Sequence, residues 1–253
     1  MDNPWTMKME QFTRFSAEDR RLLDDLASSK RREIGPREDI IREGEHSPDL
    51  HLVLKGWACR YKLLPDGGRQ ILAFLLPGDL CDAEIFIVKE MDHSIGTLST
   101  STIASIPGDT MRELLLNRPS VAVALWWGTL TDEGVLRARI IDIGRRDAYT
   151  RLAHLLYELL VRLRMVGATT DHSFELPVTQ ADLADATGLT PVHVNRTLQR
   201  LRDEGLIATK GRTMTVTDPP GLKAAGDFTG NYLHLDRAHD PQDEAGRRTG
   251  DLV

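Results

Sequence analysis

The stretch Thr179–Ile207, TQADLADATGLTPVHVNRTLQRLRDEGLI, constrains this chain most, because two helix starts and one helix stop fall within a dozen residues of it. Thr179 is an N-cap with Asp182 three positions later as its capping-box partner, so a first helix begins just after Pro177. Gly188 stops it. Thr190 caps a second helix and Pro191 takes its first position, where a missing backbone donor costs nothing. In that second helix Val194, Leu198 and Leu201 recur at i, i+4 and i+7 as one buried stripe. His193, Arg196 and Arg200 line up on the other side, with Val192, Asn195 and Gln199 beside them. After Gly205, LIATKGRTMTVTD reads as two short strands around Lys210-Gly211, with Met214 and Val216 facing in and Thr213, Thr215 and Thr217 facing out. Helix, tight turn, helix and hairpin in this order predict a winged helix-turn-helix whose second helix, Pro191 to Arg202, lies in a DNA major groove. An amphipathic helical hairpin with a solvated face accounts for the stripe but leaves the caps, turn and wing as coincidence.

A net charge of -6 runs against DNA binding, since Lys and Arg neutralise phosphates. Distribution matters more than the total. From Thr179 to Thr217 five basic residues (Arg196, Arg200, Arg202, Lys210, Arg212) face four acidic ones (Asp182, Asp185, Asp203, Glu204), and the bases sit on the reading helix and wing. Such a local positive face suits a specific site rather than a general nucleic-acid coat. The 253 residues and 41% hydrophobic content allow two modest domains. Two cysteines, Cys59 and Cys81, with no signal-like segment near Met1, predict a reduced cytoplasmic protein, and no run approaches the roughly 20 apolar residues of a membrane span.

Upstream the texture differs. Residues 1–30 read as a leader and a helix, with Ser16 as N-cap and Leu22, Leu23 and Leu26 as its apolar face. Ile40-Ile41, Leu50 to Leu54, Trp57 to Leu64 and Ile71 to Leu76 are short runs punctuated by Gly44, Gly56, Pro65-Asp66-Gly67-Gly68 and Pro77-Gly78, and predict strands. Leu50, Leu52 and Leu54 alternate with His51, Val53 and Lys55, and Trp57, Cys59, Tyr61 and Leu63 alternate with Ala58, Arg60 and Lys62. Several such strands imply a small antiparallel roll or barrel. Met111 to Asn117 reads as a short helix, and residues 120–143 as a longer one with Val123, Trp127, Leu130 and Ile141 near heptad spacing. Val121, Leu125, Trp126, Val135, Leu136 and Ile140 give this helix a second apolar face, so it has two partners to bury against. Asp147 caps a further helix through Arg164, with Leu152, Leu155, Leu156, Leu159, Leu160 and Leu163 on its packing face. Beyond Pro219-Pro220, Phe228, Tyr232, Leu233 and Leu235 can dock on the core, while the polar residues from Arg237 read as disordered.

The segment 177–217 resembles the DNA-binding domain of the Crp/Fnr family of bacterial transcription regulators. Glu43-Gly44-Glu45, the strand Leu50 to Leu54 with Gly56 after it, and Pro77-Gly78-Asp79 resemble the β-roll of the same family, so the likeness covers roughly residues 20–217. It implies an α+β chain: leader and helix (1–30), a cyclic-nucleotide-binding-like antiparallel β-roll of jelly-roll type (31–110), a dimerisation helix (111–144), the winged domain (145–217) and an extension (218–253). It further implies a homodimer through Val123, Trp127, Leu130 and Ile141, on double-stranded DNA with two-fold symmetric half-sites, with RNA polymerase as partner if the protein activates. Arg196 matches the family's guanine-reading arginine. Pro191 and Val192 stand where the cyclic AMP receptor has Arg and Glu, which leaves Val192 able to touch a thymine methyl and His193 able to donate to a guanine, beside Asn195. Thr179, Gln180, Thr190, Arg200, Lys210 and Arg212 are the expected phosphate contacts.

In members that bind cyclic AMP, a Gly-Glu pair and an Arg-Ser or Arg-Thr pair hold the ribose and phosphate. Here Asp82-Ala83 and His93-Ser94 stand in their places, with Glu84 as a ribose-binding acid one position displaced. A cyclic phosphate needs a permanent cation and backbone donors; Asp82 repels it and His93 is a poor substitute. Cyclic AMP is therefore not expected as effector, and the effector is left open. Two cysteines cannot supply the four ligands of an iron-sulfur cluster unless two subunits share one, and Cys81 beside Asp82 has its thiol pKa raised rather than lowered. The competing class is an enzyme, a cupin-like roll with a metal held by Glu45, His46, His51 and His93, but His46 and His51 are five apart across a turn signal. No metal is expected.

Overall fold

The computed structural model describes residues 3–83, 87–88 and 90–235. Glu84 and the polar end from Arg237 therefore lie outside the described residues. Two helices open the chain: α1 (Pro4–Met9) and α2 (Ala17–Ser29), the latter capped by Ser16, whose hydroxyl accepts from the Asp19 N–H. The leader thus holds a helix that the sequence reading lacked, anchored by the buried Trp5.

Among the described residues seven strands follow: β1 (Arg31–Ile34), β2 (Asp39–Ile41), β3 (Asp49–Lys55), β4 (Ala58–Leu63), β5 (Arg69–Leu75), β6 (Ser94–Thr97) and β7 (Ser101–Pro107). All pairings are antiparallel, in two sheets of order β1-β7-β3 and β2-β6-β4-β5. The anticipated strands are present, but β1, β6 and β7 are additions. Their Ser- and Thr-rich or charged sequences, SIGT, STIASIP and RREI, carry little apolar alternation. The expected alternation in β3 also fails, because His51 and Val53 are buried along with Leu50 and Leu52. The chain at Gly78–Cys81 pairs with the edge of β3 through Gly78 N–H to Val53 O, Val53 N–H to Asp79 O and Cys81 N–H to His51 O, while Trp5 and Leu23 join the cluster that holds β3. Trp57, just before β4, and Cys59 within it pack in one cluster with α-helical leucines and Ala58 in the other, so the start of the strand is buried on both faces and only Leu63 emerges.

α3 (Gly108–Asn117) leads into α4 (Pro119–Arg145), 27 residues without an internal proline. Its inner face buries Val121, Ala124, Val135 and Ala138. Its outer face leaves Val123, Trp126, Ile140, Ile141 and Ile143 exposed, with Trp126 at 69% and Ile140 at 72%. Trp127, expected on the outer stripe, instead stacks on Phe12 and meets His234 edge-on; its neighbour Trp126 carries the exposure. One residue is a 100° turn of the helix, so an approximate heptad cannot decide between adjacent tryptophans.

α5 (Ala148–Met165) is capped by Asp147, which accepts from the Thr150 N–H at 2.8 Å, and its six leucines are at most 2% exposed. Then come β8 (Ser173–Glu175), α6 (Gln180–Thr187), α7 (Pro191–Asp203), β9 (Ile207–Lys210) and β10 (Thr213–Val216). The last three strands form a sheet of order β8-β10-β9, so the wing has a third strand beyond the two anticipated. α8 (Pro219–Ala225) and a 3-10 turn (Asn231–Leu233) close the described chain and pack Phe228 and Leu233 against Val135.

Candidate nucleic-acid interface and effector region

The reading unit is built as its local signals require. Thr179 Oγ1 accepts from the Asp182 N–H at 3.1 Å and Asp182 Oδ2 accepts from the Thr179 N–H at 2.8 Å, a complete capping box at the start of α6. Gly188 ends that helix at φ 65°, ψ 32°, a conformation that disfavours any residue with a Cβ. Thr190 Oγ1 accepts from the His193 N–H and opens α7. Val194, Thr197, Leu198 and Leu201 are its buried face. Met214 and Val216 point into the core from the wing, and Gly211 turns the hairpin at φ 61°.

The opposite face of α7 is open. Val192, His193, Asn195, Arg196, Gln199 and Arg200 are all exposed, as are Lys210 and Arg212 on the wing and Thr179, Gln180 and Thr190 at the two helix starts. Among the described residues, no hydrogen bond or ion pair holds the Arg196 guanidinium. Arg200 is held: its Nε lies 2.8 Å from Glu204 and its guanidinium 4.1 Å above the ring of Tyr149, whose hydroxyl also donates to Glu204. Gln180 Nε2 donates to Asn195 Oδ1 at 3.1 Å, which turns the Asn195 amine outward as a donor.

Contacts that sequence spacing cannot show join this unit to the roll. Asp182, the capping acid, meets Arg69 at 2.5 Å and Arg37 at 3.2 Å, and Arg69 Nε also lies 2.8 Å from Asp185. Gln70 donates to the Asp185 carbonyl at 2.6 Å. Burial pushes the Asp182 carboxyl up, but the bonds from the Thr179 N–H and hydroxyl, together with Arg69 and Arg37, outweigh it and hold the pKa below the usual value. Beneath these pairs Trp57, Cys59, Ile71 and Phe74 of the roll share one core with Leu183, Ala184 and Ala186 of α6. A second junction is ionic and deeply buried. Asp79 of the roll binds Lys8 at 2.6 Å and Arg162 at 2.7 Å, and Glu158 and Asp142 bind Arg139. The legible clue was Arg139, Asp142 and Arg146 at spacings of three and four over the end of α4 and its C-cap.

Of the residues expected around an effector, Asp82, His93 and Ser94 are each engaged by neighbours within the chain. Asp82 is fully buried and both its oxygens are engaged by His51, at 2.7 Å from the backbone N–H and 2.6 Å from Nδ1, which must carry the proton. Ala83 lines a narrow groove with Trp5, Met9, Leu80 and Leu125. His93 and Ser94 lie at the start of β6 in the other sheet, where His93 Nδ1 is 2.5 Å from Asp92 and Ser94 Oγ accepts from the Glu43 N–H. Burial pushes the Cys81 thiol up, with Asp82 adding to it, and pushes Cys59 up to about 12. Of the metal-enzyme set, His51 is bound to Asp82, His93 to Asp92, and Glu45 accepts from the Arg42 N–H at 2.8 Å. Among the described residues no helix is long and apolar enough to cross a membrane.

Comparison with known proteins agrees with this architecture. Residues 31–118 match the cyclic nucleotide-binding domain and residues 150–225 the Crp-like helix-turn-helix domain. The chain is 31% identical over 191 residues to the transcriptional activatory protein AadR of Rhodopseudomonas palustris, covering 75% of this chain and 78% of that protein. It is 25% identical over 212 residues to the fumarate and nitrate reduction regulatory protein of Escherichia coli, covering 83% of each. The solved structure of FixK2 from Bradyrhizobium japonicum superposes with a TM-score of 0.70 at 25% identity, over 78% of this chain and 96% of that one. A roll of cyclic-nucleotide-binding type, a long helix and an outward reading helix on a winged domain thus meet in one chain, which belongs to the Crp/Fnr family and is a DNA-binding transcription regulator.

Proposed function

We propose that two copies associate along α4 and place their α7 helices in successive major-groove segments of a two-fold symmetric site, about one helical turn apart. The observation that carries this is the open face of α7, where Arg196 is exposed and unengaged while the opposite face is sealed in the core. The uncovered apolar stripe on α4, from Val123 and Trp126 to Ile140 and Ile141, supports the association, with Leu130 half-buried between them. An isologous contact along such a stripe covers it completely. Arg196 reads a guanine; Val192, His193 and Asn195 set the preference at neighbouring pairs. Thr179, Gln180, Thr190, Lys210 and Arg212 position the protein on phosphates, with Arg200 doing so from its Tyr149 shelf.

Cyclic AMP is not the effector in this reading. The support is chemical: Asp82, standing where a donor to the ring phosphate is needed, is a carboxylate already bound to His51, and no arginine precedes Ser94. Each chain has two cysteines, Cys59 and Cys81, both buried in the fold, which leaves a four-cysteine iron-sulfur cluster without accessible ligands even in a dimer. The protein acts in the cytoplasm on chromosomal DNA, and activation of a promoter adds RNA polymerase as a partner.

Quantitative binding to a selected site tests the assignment. Arg196→Ala should cost about 1–3 kcal/mol and relax the preference at one base pair per half-site, whereas Lys210→Ala should weaken all sequences alike and lower the salt slope by about one. Equal, sequence-independent weakening by both would show that Arg196 reads no base.

A further inference from the structure

The segment after the winged domain crosses the joint on which the reading head hangs. The two matched domains end at residues 118 and 225, so the stretch from Gly226 to Leu235 lies outside both. Between α4 and α5 the chain bends over Arg146 and Asp147, and the extension holds the helices on both sides of that bend.

On α5, the Gly226 carbonyl accepts from His154 Nδ1 at 2.9 Å, and Phe228 packs between the rings of His154 and Tyr157 at 5.1 and 4.9 Å. The Tyr232 hydroxyl lies 2.9 Å from His154 Nε2 and 2.8 Å from Glu158, a carboxylate with no solvent exposure. On α4, the Tyr232 backbone lies against Gly134 so closely that a Cβ there would sit 2.6 Å from its carbonyl oxygen. Leu233 and Phe228 close on Val135, and His234 meets Trp127 at 5.2 Å. At the bend, Arg146 donates to the Asp227 carbonyl.

We propose that residues 226–235 are a strap that fixes the angle between α4 and α5, and thereby sets the distance between the two half-sites that a dimer accepts. This rests on the dimeric reading above. A lever of about 20 Å, the length of a 13-residue helix such as α7, converts a rotation of about ten degrees into about 3.4 Å, the rise of one base pair. Tyr232 and Gly134 are positioning residues: they touch no DNA, and act through the orientation of the reading head. Half-site sequence depends on α7 alone, so strap and reading helix control separable properties of the operator.

The test is selection from a duplex library in which the half-site is fixed and the spacer varies, run with the full chain and with Gly134→Ala. The substitution replaces a helical glycine by a better helix former, so α4 itself is not weakened, while the new methyl displaces the strap. The unmodified chain should take one spacing at least a hundredfold over its neighbours. Gly134→Ala should bring spacings one base pair shorter and longer to within tenfold of the best, with the half-site sequence unchanged. Tyr232→Ala, which removes the bonds to His154 and Glu158 without altering α4, should do the same. Retention of a single sharp spacing by both folded variants overturns the strap. Failure of the unmodified chain to enrich any paired half-sites overturns the dimeric reading instead, and the strap with it.

Discussion

Arg69→Ala probes the attachment of the reading head to the roll. The Asp182 side chain is 1% exposed and depends on four partners: the Thr179 N–H, the Thr179 hydroxyl, Arg69 at 2.5 Å and Arg37 at 3.2 Å. Stripping a partner from a fully buried pair costs roughly 3–5 kcal/mol. Here Arg37 and Thr179 stay in place and Arg69 is 24% exposed, so the expected loss is about 2 kcal/mol. Urea unfolding at one protein concentration, followed by circular dichroism, reads it as a lower midpoint at unchanged slope. The pH dependence has a definite sign. The folded pKa of Asp182 lies below its ordinary 3.8, so the pair's stabilisation is present above that value and is lost as pH falls through the folded pKa. The gap between the unmodified chain and Arg69→Ala should hold from neutrality down to about pH 5 and close in more acid solution. Asp182→Asn, which keeps an acceptor for the Thr179 N–H, completes a double-mutant cycle with a coupling of about 1–2 kcal/mol. Additive losses, or a gap that persists undiminished at pH 3, would refute the ion pair as the holding contact.

Three further outcomes follow from the packing. Leu201→Ala, at a side chain with no exposure, should destabilise the chain by about 2–5 kcal/mol and abolish DNA binding through unfolding, seen as a lower melting temperature before any footprint changes. Ile140→Asp places a charge on the uncovered stripe of α4 and should halve the mass found by sedimentation while leaving the circular dichroism spectrum intact; an unchanged mass would move the subunit contact elsewhere. Cys59 and Cys81 are buried, with thiols pushed up in pKa, so neither should react with a maleimide in the native chain at pH 7.5, and both should react in urea.

How much of this was legible in the sequence depends on how local the signal is. α6, α7 and the wing could be read because each boundary is set by a residue within four positions of it: Thr179 with Asp182, Gly188, Thr190 with Pro191, Gly211. The same capping acid takes part in a contact that could not be read, since Arg69 and Arg37 lie 113 and 145 residues away and only the folded chain brings them together. β6 and β7 escaped for a related reason: SIGT and STIASIP are strands because β4 and β3 pair with them, not because of their own pattern. The two-sided apolarity of α4 was visible, but not which tryptophan faced out, because Phe12 and His234 claim Trp127 from opposite ends of the chain. Asp82 was read as an acid facing an effector, and its engagement with His51 depends on a β3 edge that no spacing predicts.

The most direct test of the central claim is selection of binding sites from random duplex DNA by the purified chain, without ligand and again with cyclic AMP. Enrichment of a two-fold symmetric site in the absence of ligand, unchanged by the nucleotide, is the predicted result. Enrichment that requires cyclic AMP would contradict the reading of Asp82 and His93, and enrichment of an unpaired half-site would contradict association along α4.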